Sequence, residues 1–126
     1  IQKELKAAVV FITHDLGVIA RIADRVQVMY AGRVVERATV LDLFEHPTHP
    51  YTQGLMNSLP ASGRERLRPI PGAPPNMLRP PSGCAFRARC EYAVEACAGA
   101  LPELRPVGVQ ESACVRAEEL VLGGTR

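Results

Sequence analysis

The sequence predicts an α/β fold followed by a proline-rich connector and a small cysteine-rich extension. A short apolar run near the start is typical of a buried strand, and helical and hairpin patterns follow it up to residue 59. Seven of the eleven prolines lie between Pro60 and Pro81, and all four cysteines come later. We therefore expect three parts, over residues 1–59, 60–82 and 83–126.

The first part begins with the apolar run Ala-Ala-Val-Val-Phe-Ile-Thr over residues 7–13. A continuous run rich in β-branched residues predicts a strand buried on both faces of a parallel sheet. Asp15 follows, and its side chain suits the N-cap of a helix over residues 16–23.

A hairpin is predicted next, because residues 25–30 and 33–36 alternate around the turn Ala31-Gly32. Thr39 and Asp42 form a pair resembling a capping box, which indicates a helix starting at residue 40. Pro50 suits the first turn of a further helix reaching Leu59.

The second and third parts have little capacity for a core of their own. The proline density excludes helix interiors and central strands from residues 60–82. Residues 60–89 carry six arginines against one glutamate, a net charge of +5, which favours a solvated connector over a phosphate-binding patch. Residues 83–114 are too poor in apolar side chains to fold without a staple. We expect a short helix over residues 115–122 before a frayed Gly-Gly-Thr-Arg end.

Composition excludes several classes of protein. The 126 residues are 47% hydrophobic and 22% charged, which argues against wholesale disorder. No apolar run approaches the roughly 18 residues of a membrane span, and the net charge of +2 is too small to indicate a nucleic-acid partner. The chain starts at Ile1, and a strand pattern begins within a few residues, so we interpret it as a piece of a longer polypeptide.

The four cysteines form the strongest candidate site. They are spaced Cys84-x5-Cys90-x6-Cys97-x16-Cys114, and in the absence of a secretion signal they favour metal ligation or free thiols over disulfides. The spacing matches neither the paired knuckles of zinc ribbons nor the ferredoxin run. An iron–sulfur cluster, zinc and four free thiols all remain open, with some metal favoured.

His14 is the second candidate, because it stands at the carboxyl end of the predicted strand, where open α/β sheets bind ligands. It can donate a hydrogen bond to a phosphate oxygen or orient a water molecule, or it can simply cap the loop. Asp15 resembles a magnesium-binding carboxylate, but the chain contains no Gly-x-x-x-x-Gly-Lys-Ser/Thr loop, so we favour the helix cap. For His46 and His49 we favour a rigid corner above Tyr51 over a metal pair.

Taken in order, the motifs of the chain resemble those of the ATP-binding subunits of oligopeptide and dipeptide ABC importers, whose relatives include nickel importers. The motifs are Val-Phe-Ile-Thr-His-Asp-Leu-Gly-Val-Ile-Ala (10–20), Ala-Asp-Arg-Val (23–26), Val-Met-Tyr-Ala-Gly-Arg-Val-Val-Glu (28–36), His-Pro-Tyr-Thr (49–52), Pro-Ile-Pro-Gly (69–72), Pro-Pro-Ser-Gly-Cys-Ala-Phe-Arg-Ala-Arg-Cys (80–90) and the two later cysteines.

This resemblance implies the C-terminal part of a P-loop ATPase (ABC ATPase) core, beginning just before the strand of the switch histidine. His14 would contact the γ-phosphate of ATP when two subunits close on each other. Cys84, Cys90, Cys97 and Cys114 would ligate a [4Fe-4S] cluster. ATP and Mg²⁺ would bind only the full-length subunit. The phosphate loop, glutamine loop, signature and catalytic glutamate are absent here, so we expect this chain alone to be inactive.

The resemblance also implies partners and a location. The subunit would pair with a second ABC ATPase subunit and dock on two transmembrane permease subunits at the cytoplasmic side of the cell membrane. An extracytoplasmic binding protein would deliver the peptide. The alternative is a small metal-binding or regulatory module whose activity lies in residues 60–126.

Overall fold

The computed structural model describes residues 2–60 and 67–123. Six residues of the predicted connector, 61–66, and the last three of the predicted frayed end at 123–126 lie outside the described residues. Within the described ranges no helix is both long and apolar enough to cross a membrane. The helices and strands there are α1 (Gln2–Leu5), α2 (Leu16–Ile22), β1 (Arg25–Tyr30), β2 (Arg33–Thr39), α3 (Val40–Glu45), α4 (Pro50–Asn57), β3 (Arg105–Val107) and β4 (Gln110–Ser112), with 3-10 helices at Arg87–Arg89 and Glu95–Ala98.

The predicted hairpin is confirmed in strands β1 and β2. Ala31 and Gly32 both have positive φ, 50° and 78°, which is the geometry that a two-residue turn needs to match the twist of the strands. Along β1, burial alternates with a period of two. Strand β2 runs to Thr39, three residues beyond the predicted end, because its later residues pair with the start of β1.

The sheet contains four strands in the order β1-β2-β4-β3, and all its pairs are antiparallel. Glu36 of β2 lies opposite Ser112 of β4, and Arg37 opposite Glu111. The Arg37 guanidinium reaches the Glu111 carboxylate at 2.8 Å. The sheet therefore joins the first part of the chain directly to the segment between Cys97 and Cys114.

The helix starts follow their caps as predicted. The Asp15 carboxylate accepts hydrogen bonds from the backbone N–H groups of Gly17 at 2.9 Å and Val18 at 3.2 Å, which confirms it as the N-cap of α2. Thr39 caps α3 by accepting from the backbone N–H of Asp42 at 3.1 Å. Pro50 occupies the first turn of α4.

The core lies between the hairpin and the three helices α2, α3 and α4. Leu43 and Met56 at its centre are fully buried. Sheet and helices together are consistent with the C-terminal part of an α/β domain. The buried members of the core are Leu16, Ile19, Val26, Val28, Ala38, Leu43 and Met56.

The predicted buried strand over residues 7–13 is wrong. These residues adopt no strand, and their side chains are exposed, with Val10 at 89% and Ile12 at 94%. A strand exists only through hydrogen bonds to a neighbouring strand, and no other described segment pairs with this one. Among the described residues the sheet is consequently antiparallel, not parallel.

The predicted terminal helix over residues 115–122 is also wrong. Residues 115–119 form turns, in which Ala117 and Glu119 donate to the carbonyls three positions earlier. A helix this short cannot offset the cost of its first turn unless packing supports it. Here Arg105 holds the segment differently, by donating to the Cys114 carbonyl at 3.0 Å and to the Glu118 carboxylate.

Candidate functional site

All four cysteines line one cavity, although 30 residues separate the first from the last. Cys84 precedes the 3-10 helix Arg87–Arg89 and Cys90 ends it, while Cys97 lies within the second 3-10 helix. Cys114 follows strand β4 by two residues. Other residues of the wall are His49, Pro50, Phe86, Arg87, Tyr92, Val115, Arg116 and Leu120.

A glycine allows the first and third cysteines to approach. The backbone N–H of Cys84 donates to the carbonyl of Cys97 at 2.8 Å. Gly83 has φ of 68°, and a Cβ placed on it would lie 2.2 Å from that same carbonyl oxygen. Only glycine fits at position 83, because the backbone has a positive φ and because there is no room for a Cβ.

Every cysteine sulfur faces a backbone N–H group. The Val94 N–H lies 3.5 Å from the Cys97 sulfur. Backbone amides of Phe86, Tyr92 and Arg116 favour the thiolates of Cys84, Cys90 and Cys114, each from two positions further along the chain. Such N–H groups stabilise negative charge on sulfur, as metal–thiolate sites require.

The four thiols are not paired as disulfides. Burial raises the pKa of Cys84, Cys90 and Cys114, that of Cys114 to about 11, and neighbouring sulfurs raise these pKa values further. The three thiols are therefore protonated at neutral pH unless a cation displaces the protons. Among the described residues no three His, Cys, Asp or Glu side chains already stand in the geometry to hold one metal ion.

The charge around the cavity suits a negatively charged group. Four thiolates around Zn²⁺ carry a net charge of about −2, and a [4Fe-4S]²⁺ cluster with four thiolates carries the same. Arg87 and Arg116 line the cavity, and no Asp or Glu is among its lining residues. The donor set and the surrounding charges thus fit a metal–thiolate group.

His49, which the sequence placed in a rigid corner, is a buried residue of this wall. Its side chain is only 1% exposed, and its Nδ1 accepts from the backbone N–H of Tyr51 at 3.0 Å, so that it caps helix α4. Burial lowers the pKa of His49 to about 4. The Phe86 ring lies 6.1 Å from the imidazole, between centroids.

Glu36 supports the same corner from strand β2. One carboxylate oxygen accepts from the backbone N–H and the hydroxyl of Thr48, at 2.7 and 2.9 Å, and the other accepts from the backbone N–H of His49 at 3.1 Å. Burial raises the pKa of Glu36, and these hydrogen bonds oppose the rise. The sequence prediction missed Glu36 because it ended the strand there, whereas β2 continues and places Glu36 and Ala38 on one buried face.

The other histidines lie apart from this cavity. His14 is exposed, follows the exposed segment 7–13, and does not line the cavity. The His46 side chain is 73% exposed and lies 4.0 Å from the Glu45 carboxylate. Tyr51 packs beneath the corner, with its ring centroid 4.6 Å from that of Tyr30. His46 and His49 therefore have different surroundings, one exposed and the other buried.

Residues 35–97 match the protein family described as oligopeptide/dipeptide transporter, C-terminal region. This range includes strand β2 from Val35, helices α3 and α4, and the first three cysteines.

Similar proteins are transport ATP-binding proteins. The chain is 45% identical over 122 residues to the dipeptide transport ATP-binding protein DppD of Caldanaerobacter subterraneus subsp. tengcongensis, covering 94% of this chain and 37% of the relative. It is 52% identical over 98 residues to the oligopeptide transport ATP-binding protein OppD of Bacillus subtilis, covering 75% and 27%. For OppD of Haemophilus influenzae the identity is 50% over 99 residues, covering 77% and 31%. The chain thus spans less than two fifths of the length of these relatives.

Proposed function

Because the chain belongs to the oligopeptide/dipeptide transporter C-terminal family, which matches residues 35–97, we propose that it is the C-terminal part of an ATP-binding subunit that couples ATP hydrolysis to peptide import across the cell membrane. The family match carries this proposal. The names of the relatives support it, since they describe dipeptide and oligopeptide transport ATP-binding proteins.

In the full-length subunit, which would bind ATP and Mg²⁺, His14 contacts the γ-phosphate when two subunits close. Its imidazole is exposed and forms no hydrogen bond with the rest of the described chain, so it is available to a ligand. Asp15 fixes the start of α2 immediately after it, which limits where the imidazole can go. A histidine in this position stabilises charge on the transferred phosphoryl group.

The subunit works with a second ABC ATPase subunit and two transmembrane permease subunits, and an extracytoplasmic protein delivers the peptide. It lies at the cytoplasmic face of the membrane as a peripheral protein. Residues 1–59 belong to the ATPase core, 60–82 form the connector, and 83–126 form the cysteine-rich extension.

The experiment that tests this function uses the full-length subunit, reconstituted with its permease in proteoliposomes. We expect His14→Ala to lower peptide-stimulated ATPase activity by about a hundredfold, the usual effect of losing one donor to the developing charge. His46→Ala, at an exposed histidine, serves as the matched control and should retain full activity. Unchanged activity in His14→Ala would exclude the assigned role.

Cys84, Cys90, Cys97 and Cys114 hold a [4Fe-4S] cluster, with Zn²⁺ as the alternative. The common cavity, the N–H groups facing each sulfur and the two arginines support this assignment. When bound, a cluster supplies a cross-link between four chain segments and a one-electron redox centre. In the cavity wall, Phe86 and Leu120 exclude water, and Arg87 and Arg116 balance the negative charge of the bound group.

Metal content after anaerobic purification distinguishes the candidates. We expect about four irons and matching acid-labile sulfide per chain, with Cys114→Ser losing both. One zinc per chain without sulfide would show that the four cysteines hold a structural zinc ion and not a cluster. A chain without either metal would overturn the metal assignment.

The alternative of an independent module in residues 60–126 receives less support. Strand β4 takes its partner β2 from the first part of the chain. Gln110 also donates to the His46 carbonyl at 2.9 Å, and Ser112 to the Thr48 carbonyl at 3.2 Å. The extension is therefore built on the first part.

A further inference from the structure

The two ring nitrogens of His49 have different surroundings. Nδ1 accepts the backbone N–H of Tyr51 at 3.0 Å. A backbone N–H can bond only to an acceptor, so Nδ1 carries no proton, and the proton of the neutral ring is on Nε2.

The Nε2–H group of His49 has no hydrogen-bond partner within residues 2–60 and 67–123. The side chain is nevertheless only 1% exposed. Nε2 is not one of the fully buried side-chain atoms that lack a partner, which in the described residues are Thr52 Oγ1 and Gln110 Oε1, so its N–H is open to the space beside the ring. The ring lines the same cavity as the four cysteines.

Other side-chain donors of the cavity wall also bond to protein groups. The Tyr92 hydroxyl donates to Gln53 at 3.2 Å. Arg87 donates to the Ser82 carbonyl at 3.0 Å, and Arg116 to the Tyr92 carbonyl at 2.7 Å. The Nε2–H group of His49 is a neutral side-chain donor of this wall, and no partner in the described residues takes it up.

We propose that the Nε2–H group of His49 donates a hydrogen bond to sulfur of the metal–thiolate group bound by the four cysteines, and so sets its reduction potential. This inference rests on the proposed [4Fe-4S] site. His49 is a positioning residue and not a ligand, because Nδ1 is engaged by Tyr51 and Nε2 carries the proton.

A hydrogen bond to cluster sulfur favours the reduced form, which carries more negative charge. Removing a hydrogen bond to a charged group changes an equilibrium by about tenfold or more. Nδ1 caps helix α4 and Nε2 would donate to the bound group, so substitutions that keep one nitrogen's role and remove the other's can separate the two effects.

The test uses the full chain, reconstituted anaerobically with ferrous iron and sulfide and titrated with a reductant while visible absorbance and electron paramagnetic resonance are recorded. His49→Asn keeps a helix-capping oxygen but removes the distal donor. We expect its ratio of reduced to oxidised cluster at fixed potential to fall about tenfold. His49→Gln keeps a distal N–H and should stay within about twofold of the original chain.

The control is His46→Asn, the same substitution at the exposed histidine three residues earlier, which should leave the potential unchanged. If His49 only caps the helix, His49→Asn will retain both the cluster and the original potential, which overturns this inference and leaves the cluster in place. If the unsubstituted chain takes up no iron and sulfide, the proposed cluster and this inference both fall.

Discussion

Two buried polar side chains meet at the start of helix α4. Glu36 receives the backbone N–H groups of Thr48 and His49, and the His49 imidazole in turn receives that of Tyr51. The imidazole satisfies an N–H group that the first turn of α4 leaves without an intrahelical partner, and the Glu36 carboxylate holds the two residues that precede the helix. The start of α4 is thus tied to β2 on one side, and the His49 ring borders the cysteine cavity on the other.

Acid should destabilise the metal-free protein through His49. The pKa of His49 is lowered to about 4 in the folded protein, whereas the unfolded chain takes up this proton near pH 6.5. Stability from the neutral ring is therefore present above about pH 6.5 and lost as the pH falls toward 4. Between pH 7 and pH 4.5 we expect a loss of about 2 kcal/mol in the free energy of unfolding from this residue.

Denaturant unfolding of the original chain and of His49→Asn across this range isolates the effect. Glu36 acts in the opposite direction, because its pKa is raised on folding and its contribution is lost as the pH rises. Both proteins retain Glu36, so the difference between them reports His49. Parallel pH profiles would contradict the prediction.

At the scale of elements, two turns with positive φ serve different purposes. Gly108 lies between β3 and β4 with φ of 61°, and nothing lies within 4 Å of the Cβ it lacks. Gly83 has a similar φ of 68°, but a Cβ at this position would collide with the Cys97 carbonyl. One glycine permits a turn, and the other also permits two cysteine-bearing segments to touch.

Alanine at these two glycines should therefore differ in its effect. Gly108→Ala carries only the cost of the backbone conformation, about 1 kcal/mol. Gly83→Ala adds a steric clash with backbone that can only be relieved by separating Cys84 from Cys97. We expect Gly83→Ala to lower the free energy of unfolding at least twice as much as Gly108→Ala, and to lose bound metal. Thermal unfolding and metal analysis measure the two effects. Equal losses in the two variants would show that the close approach at Gly83 is unimportant.

At the scale of the whole molecule, the sheet and one aromatic cluster hold distant parts of the chain together. Strands β2 and β4 pair across more than seventy residues. Phe86 packs against Tyr30 and Tyr51, with ring centroids 5.3 and 5.4 Å apart. Arg89 adds a hydrogen bond to the Pro71 carbonyl at 2.9 Å. Removing either part of the chain exposes surfaces that the other covers.

Dividing the chain within residues 61–66 should consequently leave two pieces without cooperative thermal unfolding. The later piece retains only the pair β3 and β4, and an isolated two-stranded sheet is marginal in water. Circular dichroism of each piece and of the intact chain measures this. A later piece that unfolds cooperatively and retains metal would instead support an independent module.

Local chemistry allowed much of the fold to be predicted from the sequence. The turn Ala31-Gly32, the caps Asp15 and Thr39, and Pro50 in the first turn of α4 depend on neighbours within a few residues. The run over residues 7–13 misled for the opposite reason. Its apolar residues favour burial between neighbouring strands, but no described segment pairs with it, so the strand does not form.

The sequence by itself determined the hairpin, the helix starts, the family resemblance and the residue types of the candidate site. Only the tertiary structure decided that Cys84, Cys90, Cys97 and Cys114 line one cavity, that β4 completes the sheet, and that Glu36 and His49 are buried. Short-range hydrogen bonds and dihedral preferences are encoded in adjacent residues. The meeting of distant segments depends on packing and on closing long loops, which no local pattern specifies.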